Sequence, residues 1–306
     1  MQIIKDSTEF KLPHKSAAAI GKFDGIHLGH KALLNSILEK KNQGLLAVVF
    51  TFDPVPAVFF GDGTALELTT REEKRKAFAA MGIDVLIEFP LNVQTAAIMP
   101  ERFVKEYLTE KMQAVFIAAG TDLSFGKGGK GNAALLRSLS GENRYQVEII
   151  DKVNYEGTAI SSTRVREAVE QGKMELASAL LGEPYRVSGE VLHGKQLGRK
   201  LGMPTVNLIP PASKLLPPRG VYYSRSYIDG TCHKSISNVG FKPTVSNART
   251  MGVETYLYDF AGELYGAECM VELMSYKRPE QKFDTIDGLK EQMDRDISNG
   301  RTFHGI

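Results

Sequence analysis

Apolar and polar positions follow one rule along the first 180 residues of this chain and another along the rest. In the first part, unbroken apolar runs recur: LLAVVFTF (45–52), VLIEF (85–89), VFIAAG (115–120) and VEII (147–150). A run that is apolar at successive positions is covered on both faces, as the central strands of a parallel sheet are. Between the runs, GHKALLNSILEKK, REEKRKAFAAMG and PERFVKEYLTEKM place apolar residues three and four apart, and Pro100 stands where a helix starts. With a first strand over roughly 17–23, the pattern predicts a Rossmann-like α/β domain, whose ligands sit at the carboxyl ends of the strands.

Beyond LGEPYRV (181–187) the period becomes two. GVYYSRSYI, VETYLYDF and ECMVELMSY are separated by turn sequences such as DGT and AGELYG, which predicts a small antiparallel β-barrel. A last helical stretch, TIDGLKEQMDRDI, is expected to pack on that barrel. The change of pattern sets a boundary at Gly182 to Pro184 and domains of 1–183 and 184–306. No internal repeat or low-complexity linker is evident.

Composition narrows the function. The 38 basic and 36 acidic side chains nearly cancel and are interspersed, so nucleic acid is not an expected partner. No apolar run approaches the roughly 18 residues of a membrane span, so no membrane association is expected. Two cysteines, Cys232 and Cys269, make no disulfide framework, and no secretory leader is evident, which points to the cytoplasm.

The first candidate chemistry lies in GKFDGIHLGH (21–30). Asp24-Gly25 turns the chain, and His27 and His30 then fall on one face at a helix start, beside unpaired N–H groups that suit an anion. Gly29 lets a phosphate approach the backbone. Two packed structural histidines are the plain alternative; a zinc site is disfavoured because His14, His193, His233 and His304 form no partner pair. GTDLSFGKGGKGN (120–132) can fold over a phosphate or a planar ring, and ISSTRVREAV (160–169) places hydroxyls and a guanidinium at another helix start. Gly21, Phe23, Asp24, Gly29, Ser161, Ser162 and Thr163 are the candidate phosphate contacts.

In the second part, GEVLHGKQLGRKLGMPTVNL (189–208) is glycine-rich without a Walker motif. Gly198, Arg199, Gly202 and Pro204 are its candidate nucleotide contacts, and Thr205 and Asn207 offer the hard oxygen ligands that Mg²⁺ accepts beside ATP phosphates. A barrel corner with a turn proline is the alternative there.

The order His-x-Gly-His, then Ser-Ser-Thr-Arg, over about residues 15–180 resembles the HxGH nucleotidyltransferases. The segments RGVYYSR, SNVGFKPTV, VETYLYDFAGELYG and KRPEQKFDTIDGLKEQMDRDI follow in the order of riboflavin kinases. Together they resemble the bacterial bifunctional riboflavin kinase/FMN adenylyltransferase family. The resemblance implies phosphorylation of riboflavin to FMN and adenylylation of FMN to FAD, with ATP and Mg²⁺, and flavin as substrate and product. By position it makes Glu254 the base of the kinase, has His27, His30 and Arg164 stabilise the adenylylation transition state, and assigns flavin contacts to Asp122, Phe125 and Gly126. The chain departs from the family pattern at Val55, Leu123, Ser124 and Gly129. Alternatives are a kinase with a slow or inactive adenylyltransferase domain and a non-catalytic flavin-binding regulator.

Overall fold

The structure, a computed structural model, describes residues 1–61, 65–192, 205–243, 249–260, 262 and 264–306. The chain forms two compact units, one of residues 1–65 and 70–161, the other of 66–69 and 162–306.

The first unit is built on six parallel strands, β1 (Gln2–Lys5), β2 (Ser16–Ile20), β3 (Leu46–Asp53), β4 (Val85–Pro90), β5 (Ala114–Gly120) and β6 (Gln146–Ile150), in the spatial order β1-β4-β3-β2-β5-β6. The helices between them are α1 (Leu28–Glu39), α2 (Pro56–Phe60), α3 (Arg71–Met81), α4 (Val93–Ala96), α5 (Pro100–Arg102, continuing as π-helical turns over Phe103–Lys111) and α6 (Ala133–Leu139). The central strands are covered on both faces. Val48, Phe50 and Ile87 enter one core with Phe103 and Tyr107, while Val49 and Leu86 enter the other with Leu34, Ile37 and Phe78. The order reverses between β2 and β5, so the ends of these two strands frame the crevice where such sheets bind ligands.

Two local features depart from the sequence reading. The edge strand β1 was not anticipated, because its exposed residues carry no buried run. The first central strand stops at Ile20 instead of continuing to residue 23, since Phe23, Gly25 and Ile26 all take positive φ (50°, 86° and 44°) and turn the chain back over the sheet end.

The second unit begins with α7 (Ser162–Glu170) and α8 (Met174–Leu181), after a small hairpin in the first unit of β7 (Asn154–Tyr155) and β8 (Thr158–Ala159). Its sheet contains β9 (Tyr185–Glu190), β10 (Thr205–Leu208), β11 (Gly220–Ile228), β12 (Thr231–Pro243), β13 (Arg249–Leu257) and β14 (Glu268–Pro279), all antiparallel, in the order β10-β13-β12-β11-β14-β9. The sheet curls until its edges meet: Leu192 N–H, just past β9, donates to Asn207 O at 2.9 Å. The inner face carries a ladder of fully buried hydroxyls in the order Ser226, Ser235, Ser224, Ser237, Thr255, with neighbours 2.7 to 3.0 Å apart. Each hydroxyl satisfies the next, so none is buried without a partner.

The helix α9 (Ile286–His304) covers part of the outer face, on Val221, Tyr223, Ile236 and Tyr258. It runs seven residues beyond the stretch its periodicity suggested. Its last turn is held by tertiary contacts instead: Phe303 stacks on Tyr223 at 4.3 Å, His304 Nε2 donates to Ser235 O at 3.0 Å, and Lys234 Nζ donates to His304 O at 2.9 Å. Arg278 clasps Asp296 from β14 with both side chains largely buried.

The segment Leu66–Thr69, from the middle of the first half of the sequence, is built into this second unit. Leu215 N–H donates to Glu67 O at 2.8 Å, and Lys214 Nζ donates to Leu68 O at 2.7 Å while lying 4.5 Å from the Tyr185 ring centre. The Tyr185 hydroxyl lies 2.7 Å from Leu215 O and 3.0 Å from Leu68 O, with all three residues buried. Tyr185→Phe leaves a carbonyl without its donor and is expected to cost about 1–2 kcal/mol. Denaturant unfolding checks this, with a lower midpoint at unchanged slope as the expected result.

Candidate active sites

In the first unit the turn after β2 delivers His27 as the N-cap of α1, where its Nδ1 accepts from the His30 backbone N–H at 3.3 Å. The two rings stack, 3.8 Å between centroids and 15° from parallel. Phe23, fully buried, seats them with its ring 5.1 Å from that of His30. Gly29 sits beneath this stack: a Cβ there would lie 3.2 Å from the His27 ring, a tight contact that glycine avoids. Gly21 joins the next strand through its N–H, which donates to Phe50 O at 3.1 Å. Asp24 lies in the turn between them.

Burial governs the electrostatics of the pair. His27 is 7% exposed, and desolvation lowers its pKa to about 4, with the nearby Asp122 carboxylate partly opposing the shift. His30 is held well below the ordinary value, first by burial and then by its neighbour His27. Both imidazoles are neutral at pH 7. Because His27 Nδ1 is an acceptor, its proton rests on Nε2, which is left as a hydrogen-bond donor. His30 Nδ1 is buried and has no partner, which marks it for a group from outside the protein.

The glycine-rich segment leaves β5 on the other side of the crevice. Its Asp122 acts on His27 and pairs with Lys152 at 3.3 Å. The loop closes on itself through paired bonds between Phe125 and Gly131, 3.0 and 2.9 Å. Phe125 turns its ring inward, 3% exposed and 5.4 Å from that of Phe103, and Gly126 lies against Pro100. Of the three flavin candidates, Asp122 thus stands by the histidines while Phe125 and Gly126 serve the packing of the loop. The Ser-Ser-Thr-Arg segment straddles the unit boundary, Ser161 ending the first unit and Ser162 opening α7 in the second. Thr163 is exposed in the first turn of that helix, and Ser161, Ser162 and Arg164 are half-buried.

In the second unit, β10 and β13 bring three candidates together. Asn207 pairs in register with Glu254, and the Thr205 hydroxyl donates to Glu254 Oε1 at 2.8 Å. Alternation puts Thr205 and Asn207 on the same outer face as Glu254. On the other side of Glu254 the register sets Asn238 of β12, a neighbour that sequence reasoning missed because only strand pairing reveals it. Gly198, Arg199, Gly202 and Pro204 lie outside the described residues. The donor set of a hydroxyl and an amide carbonyl next to a carboxylate fits Mg²⁺ carried by a nucleotide. Among the described residues no group of three or more His, Cys, Asp or Glu is arranged to hold a metal by itself.

Comparison with known proteins finds the FAD synthetase family over residues 9–164 and the riboflavin kinase family over 181–304. The bifunctional riboflavin kinase/FMN adenylyltransferase of Listeria monocytogenes is 34% identical over 93% of this chain and 91% of its own length. The protein of the same name from Escherichia coli K12 is 35% identical, over 94% and 92%. The chain belongs to the bifunctional riboflavin kinase/FMN adenylyltransferase family. Among solved structures, one described as a macrolide-efflux protein from Streptococcus pneumoniae is 30% identical and covers 98% of both chains at a TM-score of 0.86. Among the described residues here, no helix is long and apolar enough to cross a membrane.

Within the matched stretches, His27 and His30 stand at a strand-to-helix turn and Glu254 in mid-strand beside Thr205. The histidine pair also sets a pH dependence. Unfolded histidine titrates near 6.5, so as pH falls the unfolded chain binds protons before His27, at about 4, can do so. Stability is expected to fall with pH across that window, by on the order of 3 kcal/mol from His27 alone. Unfolding measured at pH 7 and pH 5 checks this: His27→Asn should flatten the dependence, and an equal slope in the variant would contradict it.

Proposed function

We propose that this chain makes FAD from riboflavin in two ATP-dependent steps, a kinase step within 184–306 and an adenylyl transfer within 1–183. The observation that carries the reading is that a stacked histidine pair and a hydroxyl-bonded glutamate occur in one chain, each inside the stretch matched by the corresponding family.

In the kinase step the riboflavin 5′-hydroxyl attacks the γ-phosphorus of ATP. Glu254 accepts the hydroxyl proton, and the Thr205 hydroxyl, donating to one of its oxygens, fixes the carboxylate. Thr205 and Asn207 would hold Mg²⁺ through a hydroxyl and a carbonyl oxygen; the ion, when bound, neutralises charge on the phosphates. Phosphoryl transfer depends on positioning and charge neutralisation, which rigid neighbouring strands supply. Gly198, Arg199, Gly202 and Pro204 would cover the nucleotide phosphates.

In the adenylyl step a phosphate oxygen of FMN attacks the α-phosphorus of ATP and pyrophosphate leaves, with no covalent enzyme intermediate. Neutral His27 contributes Nε2–H as a donor to the phosphate, beside the open N–H groups at the start of α1. Ser161, Ser162, Thr163 and Arg164 take the phosphate-contact roles of the family motif. Asp122 takes part in flavin handling and biases the imidazole pair. The neutral imidazoles act as hydrogen-bond donors and not as cations, so this step should persist up to alkaline pH. Magnesium, ATP and flavins are the ligands of this reading, and the cytoplasm, where ATP is made available, is its place.

Incubation of the purified protein with Mg²⁺, ATP and either riboflavin or FMN, followed by chromatography, tests the reading. FMN and FAD respectively are expected, and neither product would overturn it. Glu254→Gln should lower FMN formation by about 10²-fold or more while riboflavin still binds. His27→Ala with His30→Ala should lower FAD formation from FMN by about 10²–10³-fold and spare the kinase. Loss of both activities in that variant would contradict the division of labour.

A further inference from the structure

Asn238 is the unassigned neighbour of the proposed kinase base. It stands directly opposite Glu254 in the β12–β13 register, on the outer face, with Asn207 opposite Glu254 on the other side. Directly opposed residues of an antiparallel pair have Cβ atoms about 4.5–5.5 Å apart, within reach of one another's side-chain polar groups. An amide that stands opposite a carboxylate must be oriented by something else, since its two ends have opposite polarity.

Glu280 supplies that orientation. Its Oε1 accepts from Asn238 Nδ2 at 3.2 Å, and its Oε2 lies 3.6 Å from Arg219 Nη1. The carboxylate reaches Asn238 by crossing the bare backbone of Gly240, whose missing Cβ would collide with Glu280 Oε1. Gly240 in turn pairs with Gly252, so this part of the outer face next to Glu254 and Asn238 carries no side chains on either strand.

We infer that Asn238, oriented by Glu280 across Gly240, is a positioning residue of the kinase site that sets Glu254 and the attacking hydroxyl in line. The inference rests on the kinase reading given above. Arg219 completes the relay, Arg219 holding Glu280, Glu280 holding Asn238, and Asn238 facing the Glu254 position. Because the relay acts on alignment and not on the affinity for ATP or riboflavin, its loss is expected in kcat and not in KM.

The test is steady-state FMN formation by the full-length chain and its variants, with thermal unfolding recorded for each. Asn238→Ala and Glu280→Ala should each lower kcat about 10-fold with KM for riboflavin nearly unchanged. The double variant should be no slower than the slower single variant, because both substitutions break one relay. Glu280→Gln, which keeps an acceptor for Asn238 Nδ2, should recover most of the rate lost in Glu280→Ala. Unchanged kcat in a folded Asn238→Ala variant, multiplicative losses in the double variant, or rate losses that only track a lower melting temperature would each overturn the inference. If the unmodified chain forms no FMN, the kinase reading itself fails and takes this inference with it; if it does form FMN, the variants judge Asn238 alone.

Discussion

A polar atom withdrawn from water must find a partner, and this constraint organises both units. Among the described residues, His30 Nδ1 is the one buried side-chain nitrogen or oxygen with none. Elsewhere the requirement is met by construction. Five hydroxyls inside the antiparallel sheet satisfy one another in a row, Arg75 binds Glu88 with two nitrogens at 2.9 and 2.5 Å, and Lys214 and Tyr185 share the Leu68 carbonyl of a borrowed segment. Against that background the unsatisfied imidazole, stacked on another at the end of a central strand, stands apart from the other buried polar groups.

The same constraint explains why the two candidate sites differ in kind. The first lies where a parallel sheet changes direction, and there the fold exposes backbone donors at a helix start without any special arrangement. Its histidines are held neutral by burial, so they offer hydrogen-bonding groups and add no positive charge of their own. The second lies on the outer face of a curled antiparallel sheet, where its candidate groups are side chains held in register by strand pairing. Thr205, Asn207, Glu254 and Asn238 owe their proximity to that register alone. A slip of one residue would send each of them to the opposite face.

Much of this was legible before any coordinates. Buried runs located β3, β4 and β5 within a residue or two, because a strand covered on both faces has few places for a polar side chain; VEII located β6 as well, but that strand lies at the sheet edge and is at most half-buried instead of covered on both faces. The histidine pair was legible too, since a spacing of three at a helix start fixes a common face. The edge strand β1 escaped because one-sided burial leaves no run, and the early end of β2 escaped because positive φ at Phe23 and Ile26 is invisible in residues that ordinarily avoid it. The family resemblance made Phe125 a candidate flavin contact, and its identity could not reveal that its ring packs against Phe103 in the core.

By itself, the sequence determined the two fold classes, the placing of the histidine pair at a helix start and the family to which the chain belongs, because periodicity and short motifs are local properties carried by neighbouring residues. Only the tertiary structure decided which residues meet. It set Asp122 near His27, Asn238 opposite Glu254, Glu280 across Gly240, and the segment Leu66–Thr69 within the second unit. These meetings join residues from 16 to nearly 150 positions apart, and no local pattern encodes them; they follow from strand order and register, which are settled by what the whole chain can bury.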